Sequence, residues 1–344
     1  MSDTSPPNAR TTAPTTARSL DELPWSDDLL GESLHSAAFH IPGGADAPAT
    51  LIRTLPDSPS TRPALLWIHG MSDYFFQDHV AKYFVSQGFP FYAIDLHGCG
   101  RSWREGQRWH MATDLSDYFP ELTYALELIA ATHGSVVPLA HSTGGLIAAL
   151  WVDHLRREDP QLHARIEGLI LNSPWLDMQF SPAMVKVMRP LAAVLGRIAP
   201  SLTVKKGGTG TYGKSIAASE NGSWNFDTTF KPIEGHNIDI GWLRAIFTAQ
   251  KVIHSGNVDA AVPVLTLCSS HSYLAKSYSA AADTADTVLD VSHMRKWAPT
   301  LSRESQVTPI NGALHDVFLS QPHARETALT TTLAWLESLS DRTK

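Results

Sequence analysis

The stretch Ala140-His141-Ser142-Thr143-Gly144-Gly145 constrains this chain more than any other. It stands between an apolar run ending Val136-Val137-Pro138-Leu139 and a helix-like run Leu146-Ile147-Ala148-Ala149-Leu150-Trp151. Strand, tight turn with Ser at its apex, then helix is the pattern of a nucleophile elbow. The turn strains the Ser backbone, so the residues two before and two after it must be small. Ala140 and Gly144 meet that demand, with Ala in place of the first Gly of the pattern. A Ser held there is presented at a helix N-terminus, where backbone N–H groups can stabilise an oxyanion. The hexapeptide also reads as a Ser that merely caps a helix, so the rest of the chain must decide.

Earlier in the chain, Ala64-Leu65-Leu66-Trp67-Ile68 reads as a continuous buried strand that ends in His69-Gly70-Met71-Ser72. An apolar strand running into His-Gly is the expected second half of an oxyanion hole, pairing the backbone N–H of Met71 with that of Thr143. His69 is read as structural, a ring at a strand end that fixes the loop. Phe91-Tyr92-Ala93-Ile94 forms another buried strand, followed by Asp95-Leu96-His97-Gly98-Cys99-Gly100-Arg101-Ser102. Three such strands, each followed by a loop and a helical pattern, predict a parallel sheet with right-handed crossovers.

With these segments the chain resembles the α/β-hydrolase superfamily, in the branch of monoacylglycerol lipases, lysophospholipases and serine aminopeptidase-type hydrolases. The resemblance rests on the His69-Gly70 loop, the Asp95 to Ser102 turn, the Ser142 elbow and the late segment Gly312-Ala313-Leu314-His315-Asp316. It covers about residues 34 to 340. It implies an α/β-hydrolase fold: a mostly parallel eight-stranded sheet flanked by helices, with an inserted helical cap after the sixth strand. It also implies a Ser nucleophile in the chain order Ser, Asp, His. Epoxide hydrolases and dehalogenases of this fold use Asp at the elbow, so Ser142 argues against them.

Composition agrees with a globular enzyme. With 344 residues, 43% of them hydrophobic, the chain can bury a large core in one domain plus a cap. The formal net charge of -7 gives no footprint for nucleic acid or an anionic membrane. Two cysteines, one in a turn (Cys99) and one ending a strand (Cys268), argue against a disulfide framework and predict a cytoplasmic setting. Residues 1–18, rich in Ser, Thr, Pro and Ala, read as a disordered tail without the apolar centre of a signal peptide or an integral membrane segment.

The coarse alternation from Leu34 predicts an antiparallel strand pair at residues 35–42 and 49–55 and a helix near 77–87. Beyond them it predicts a long helix at 114–133 kinked at Pro120 and stopped at Gly134, and a strand at 166–171. From Trp175 to His254 the alternation breaks. Residues 175–254 are assigned to the cap, with residues 19–174 and 255–344 as the core. The cap holds an apolar run from Val185 to Ile198, a Gly-rich stretch from Lys205 to Lys214, and the aromatics Trp224, Phe226, Phe230, Trp242 and Phe247. Tyr74, His141, Trp175, Trp224 and Trp242 are the candidate walls of a substrate pocket, against the alternative that such aromatics only pack on one another.

A carboxylate must hold the histidine in one tautomer. In the resembled families it follows the next strand within a few residues, yet here Ala261 to Cys268 leads into Ser269-Ser270-His271-Ser272-Tyr273, with no acid. Of the next carboxylates, Asp286-Thr287-Val288-Leu289 reproduces the acid-x-apolar-apolar pattern. Asp290 precedes a helical run and suits an N-cap. Asp286 is therefore favoured over Asp290, with Asp283 third. Among 16 histidines, His315 is chosen for its place after a short strand and before the C-terminal helix. The others lack the spacing of metal ligands, so no metal or other cofactor is expected. The expected activity is cleavage of a small-molecule carboxylic ester, a monoacylglycerol or a similar lipid-like or medium-chain ester, by Ser142, His315 and Asp286. A noncatalytic ligand-binding relative, or a peptidase, thioesterase or perhydrolase, stays open, as does the oligomeric state.

Overall fold

A computed structural model describes residues 19–41, 47–54, 60–205, 210–274 and 277–340. The expected disordered tail at 1–18 lies outside them, as does part of the Gly-rich stretch. The core is one twisted sheet of strands β1 (Ser26–Asp28), β2 (Gly31–Phe39), β3 (Ala49–Thr54), β4 (Ala64–Ile68), β5 (Phe91–Asp95), β6 (Val136–His141) and β7 (Leu169–Asn172), with two more that follow β8 (Thr203–Lys205) and β9 (Ile238–Asp239) in the chain, β10 (Val264–Ser269) and β11 (Ser305–Ile310). The spatial order is β1-β2-β3-β5-β4-β6-β7-β10-β11. The six strands from β5 to β11 run parallel, and β1, β2 and β3 pair antiparallel at one edge.

The inner parallel strands are buried without alternation because helices cover both faces, whereas β11, at the edge, is polar and only partly buried. Within β4, Ala64, Leu66 and Ile68 pack with Leu122, Leu146 and Ile246, whereas Leu65 and Trp67 pack on the opposite face with Val80, Phe84 and Phe318. Helices α1 (Asp78–Ser86), α2 (Phe119–His133), α3 (Thr143–Glu158) and the short α4 (Pro160–His163) belong to this first half of the chain. Between β7 and β10 come α5 (Pro182–Ile198), β8, α6 (Thr211–Ile216), β9 and α7 (Ile240–His254). After β10 follow α8 (Val291–Trp297) and, beyond β11, α9 (Pro322–Ser340).

Three expectations change. The sheet has nine strands, not eight, and the insertion follows the seventh strand in chain order. The extra strand β1 carries no apolar pattern; its Asp28 is tied instead to Arg101 by two hydrogen bonds of 2.7 Å, and Arg101 also reaches Asp95 at 2.8 Å. Burial works against ionisation of Asp28, yet Arg101 prevails and holds its carboxyl below the ordinary value. Pro120 does not kink a long helix. A 3-10 turn spans Leu115–Tyr118, and Pro120 stands in the first turn of α2, where its missing N–H costs nothing. Lastly, α7 buries Ile240, Trp242, Ile246 and Ile253 in the same core cluster as α2 and α3, and the cavity over Ser142 is lined by residues between 175 and 238 and by none of α7.

Candidate active site

The site lies at the C-terminal ends of β4, β6 and β10, where parallel sheets gather ligands. Ser142 takes φ 54° and ψ −116° between β6 and α3, a strained conformation for a residue with a Cβ. Its turn is so close to the end of β4 that only glycine fits beside it. A Cβ on Gly144 would lie 2.7 Å from the Ile68 carbonyl oxygen and closer still to that of His69, and one on Gly70 would lie 2.9 Å from the Ser142 Cβ. The size pattern read in the elbow is thus a set of backbone clearances.

His315 Nε2 stands 2.9 Å from Ser142 Oγ, and its Nδ1 stands 2.8 Å from Asp286 Oδ2. A carboxylate only accepts, so Nδ1–H donates to Asp286 and Nε2 is free to accept from the Ser142 hydroxyl. Asp286 is fully buried and is aimed by its own turn: its other oxygen accepts the backbone N–H groups of Val288 and Leu289, both at 2.8 Å. The acid-x-apolar-apolar pattern is therefore the turn that orients the carboxylate. After β10 the chain runs outward and returns, and Asp286 pairs backbone to backbone with His271 and Tyr273 beside Ser272. Asp286 is far along the sequence from β10 but is paired with the segment that leaves that strand. Asp290 faces elsewhere and accepts from Ser292 N–H at 2.9 Å as the N-cap of α8. Asp283 bonds the Tyr278 hydroxyl.

Met71 and Thr143 both line the cavity beside Ser142. Among the described residues neither backbone N–H has an acceptor. The loop before them is fixed by His69, which accepts Leu96 N–H at 3.0 Å on Nε2 and so donates from Nδ1 to the Gly70 carbonyl at 2.7 Å. His141 donates from Nδ1 to the Asn172 carbonyl, and its ring lies 4.8 Å from that of His315. Full burial pushes the His141 pKa down to about 4, with the neighbouring His315 adding to the effect against Asp316, so the ring is neutral at neutral pH.

The cavity above Ser142 has a volume of about 410 Å³. Of the five expected wall residues, His141 and Trp175 line it; Tyr74, Trp224 and Trp242 do not. Tyr74 is buried, and its hydroxyl accepts Asp227 N–H at 2.8 Å. Trp242 sits in the core behind Trp175, ring centroids 5.6 Å apart. Trp224 is on the outside, stacked on His79 at 4.2 Å with its N–H donated to the Leu319 carbonyl. The apolar wall consists instead of Phe180, Phe226, Ile233, Ile238, Val288 and Leu289.

Sequence reasoning missed two features. Lys231 and Asp73, both buried in the cavity wall, form an ion pair at 2.8 Å. A lone Lys among aromatics gave no signal of this. The other is Asp316, fully buried, which accepts from Asn172 Nδ2 at 2.7 Å, Gln77 Nε2 at 3.0 Å and Phe318 N–H at 3.0 Å. It ties the His315 loop to β7 and to the segment before α1. Its place next to His315 in the sequence was the signal.

A nine-stranded sheet of this topology with a Ser-His-Asp line at its strand ends defines an α/β-hydrolase. Comparison with known proteins narrows that class. The chain belongs to the family described as serine aminopeptidase, S33, whose model matches residues 59–320. It is 32% identical over 141 residues to the phospholipase YtpA of Bacillus subtilis, covering 41% of this chain and 50% of that protein. It is 28% identical over 155 residues to a monoacylglycerol lipase of Mycolicibacterium smegmatis, covering 43% of this chain and 50% of that one. The chain thus spans about half the length of the curated relatives it matches. The monoacylglycerol lipase of Paleococcus ferrophilus shares the fold, with a TM-score of 0.61 at 20% identity over 86% of this chain and 100% of that one.

Proposed function

We propose that the protein is a serine hydrolase of carboxylic esters, with monoacylglycerols or similar lipid-like, medium-chain esters as substrates. The observation that carries this reading is the unbroken line of hydrogen bonds from Asp286 through His315 to Ser142, opening on a largely apolar cavity. In this mechanism Ser142 attacks the ester carbonyl while His315 takes its proton, and Asp286 stabilises the imidazolium. The N–H groups of Met71 and Thr143 receive the oxyanion, worth roughly 3 kcal/mol per donor. His315 then gives the proton to the leaving alcohol, and water attacks the acyl-enzyme by the same route in reverse. No cofactor takes part. Residues 175–239 act as the cap, and the free, buried Cys99 and Cys268 fit a cytoplasmic location.

The names of the relatives, a phospholipase and a monoacylglycerol lipase, support a lipid ester over a peptide. An aminopeptidase must also bind its substrate's ammonium; the buried Asp73 of the wall is already ion-paired with Lys231, which leaves the exposed Glu234 of the same cavity for that role. A fluorophosphonate probe followed by p-nitrophenyl and monoacylglycerol esters of graded length tests the reading. The probe is expected to label the wild type but not Ser142→Ala, and turnover is expected to rise with chain length into the medium range. No labelling would turn the reading to a noncatalytic ligand-binding protein, and labelling without ester turnover to a peptidase or thioesterase.

A further inference from the structure

The outer face of α5 reverses the usual order of a surface helix. It packs on α7 through small residues: Ala192 and Gly196 are buried, and a Cβ on Gly196 would meet Arg244 Cβ at 2.8 Å and the Ile240 carbonyl at 3.0 Å. Its large apolar residues face water instead. Met184, Val187, Leu191, Val194 and Ile198 are 50%, 61%, 54%, 56% and 75% exposed. At 3.6 residues per turn they fall within an arc of roughly 100°, a continuous stripe along the helix. Leu202 and Val204 extend the apolar surface beyond its end, and Phe180 extends it before its start. Phe180 also lines the cavity, so the stripe runs to the mouth of the site.

We propose that α5 seats the protein on an anionic lipid surface, with the apolar stripe entering the headgroup boundary and the cavity mouth facing the bilayer. Charge selects this occupant. The charged residues of α5 are Lys186, Arg189 and Arg197, with no acid among them, and Lys186 and Arg197 are exposed. A second copy on the same face would set these cations against their equals. Anionic headgroups would satisfy them, at a gain of about fivefold in binding per cation. The net charge of -7 does not prevent this, because distant acids are screened beyond roughly 8 Å at physiological salt. A helix that is apolar on one side and basic on its flank lies in the interface and does not cross it. Among the described residues no helix is long and apolar enough to span a membrane.

Docking is read without hydrolysis, so it stands or falls apart from the ester reading. The full chain is sedimented with vesicles of phosphatidylcholine containing a quarter phosphatidylglycerol, and with vesicles of phosphatidylcholine alone. Binding to the first is expected to exceed binding to the second and to weaken with added salt. Leu191→Ser with Val194→Ser is expected to lower it at least about tenfold, and Lys186→Gln or Arg197→Gln about fivefold each. These positions are exposed, so melting temperatures are expected to match the wild type. If a variant melts early, the salt and lipid dependence of the wild type decides alone. Wild-type protein that stays in the supernatant, folded variants that bind undiminished, or a solution dimer that the Leu191 and Val194 changes dissociate would each overturn the proposal.

Discussion

The floor of the site and its roof are built by different kinds of sequence constraint. In the floor, formed by the loops after β4, β6 and β10 and the His315 loop, backbone approaches backbone so closely that single atoms matter, as at Gly70 and Gly144. Buried polar groups there are held by several partners each, Asp286 by three and Asp316 by three. In the roof, residues 175–239, large apolar side chains are left in water and a few contacts tie it down. Lys231 reaches Asp73, His236 N–H reaches Ser72 Oγ at 3.0 Å, and Asp227 N–H reaches Tyr74. A floor of this kind tolerates almost no change, whereas the roof can be altered to set what enters.

The comparison is broken most decisively at the triad. Ser142→Ala or His315→Ala is expected to lower turnover by about 10⁶ with melting unchanged, since residues that act as a unit fail together. Asp286→Asn should cost about 10⁴, because it favours the wrong tautomer of His315. Asp290→Asn should cost little, since Asn caps a helix about as well as Asp. Steady-state kinetics on a soluble p-nitrophenyl ester checks all four. A large loss from Asp290→Asn with little from Asp286→Asn would put the acid elsewhere.

The tie between roof and floor is the next in size. Lys231→Met leaves the Asp73 carboxylate buried without its cation, an arrangement that typically costs about 3 kcal/mol or more. Adding Asp73→Asn should restore most of that loss, because the penalty lies in the stranded charge. Denaturant unfolding of the two single variants and the double variant measures the coupling. A single-variant loss under about 0.5 kcal/mol would mean that the roof is not anchored through this pair.

The floor was legible in the sequence for the same reason that it is intolerant. Close backbone approach demands glycine, and a turn that aims a carboxylate demands an acid followed at once by free N–H groups, so both appear as local patterns at Gly144 and at Asp286. The return of the chain after β10 was not legible, because it is a tertiary pairing of Asp286 with the segment around Ser272. Strand β1 left no apolar signature since an ion pair to Arg101 holds its Asp28. In the roof, composition marked a break in the α/β alternation but could not sort its aromatics. Without a helical or strand period, nothing in the sequence distinguishes Phe226, which faces the cavity, from Trp224, which faces out.

Acid should separate the two regions again. The His141 pKa, held near 4 by burial, lies below the ordinary histidine value, so between pH 6.5 and 4 the unfolded chain binds a proton that the folded chain refuses. Stability from this group is therefore complete above about pH 6.5 and falls as the pH drops, by about 2 kcal/mol at pH 5. His236 in the roof is also pushed down to about 4 by loss of solvent, but it is only partly buried and water screens it. Unfolding midpoints at pH 7 and pH 5 should thus converge for His141→Phe and much less for His236→Gln. Equal flattening by both would deny the difference between floor and roof.

The smallest effect tests the roof alone. Phe226 lines the cavity and packs on Phe76 with centroids 5.2 Å apart, while Trp224, two residues earlier, lies on the far side of the same segment. If the roof sets acyl preference, Phe226→Ala exposes only the part of a long acyl chain that reaches the missing ring. At about 0.8 kcal/mol per buried methylene, exposing one or two carbons lowers kcat/KM on a medium-chain ester by about tenfold and leaves an acetate ester near wild type. Trp224→Ala removes a hydrogen bond to Leu319 and a stacked ring outside the cavity, so it should lower melting temperature and act alike on short and long esters. A chain-length shift from Trp224→Ala, with none from Phe226→Ala, would place the acyl chain outside this cavity and return the roof aromatics to simple packing.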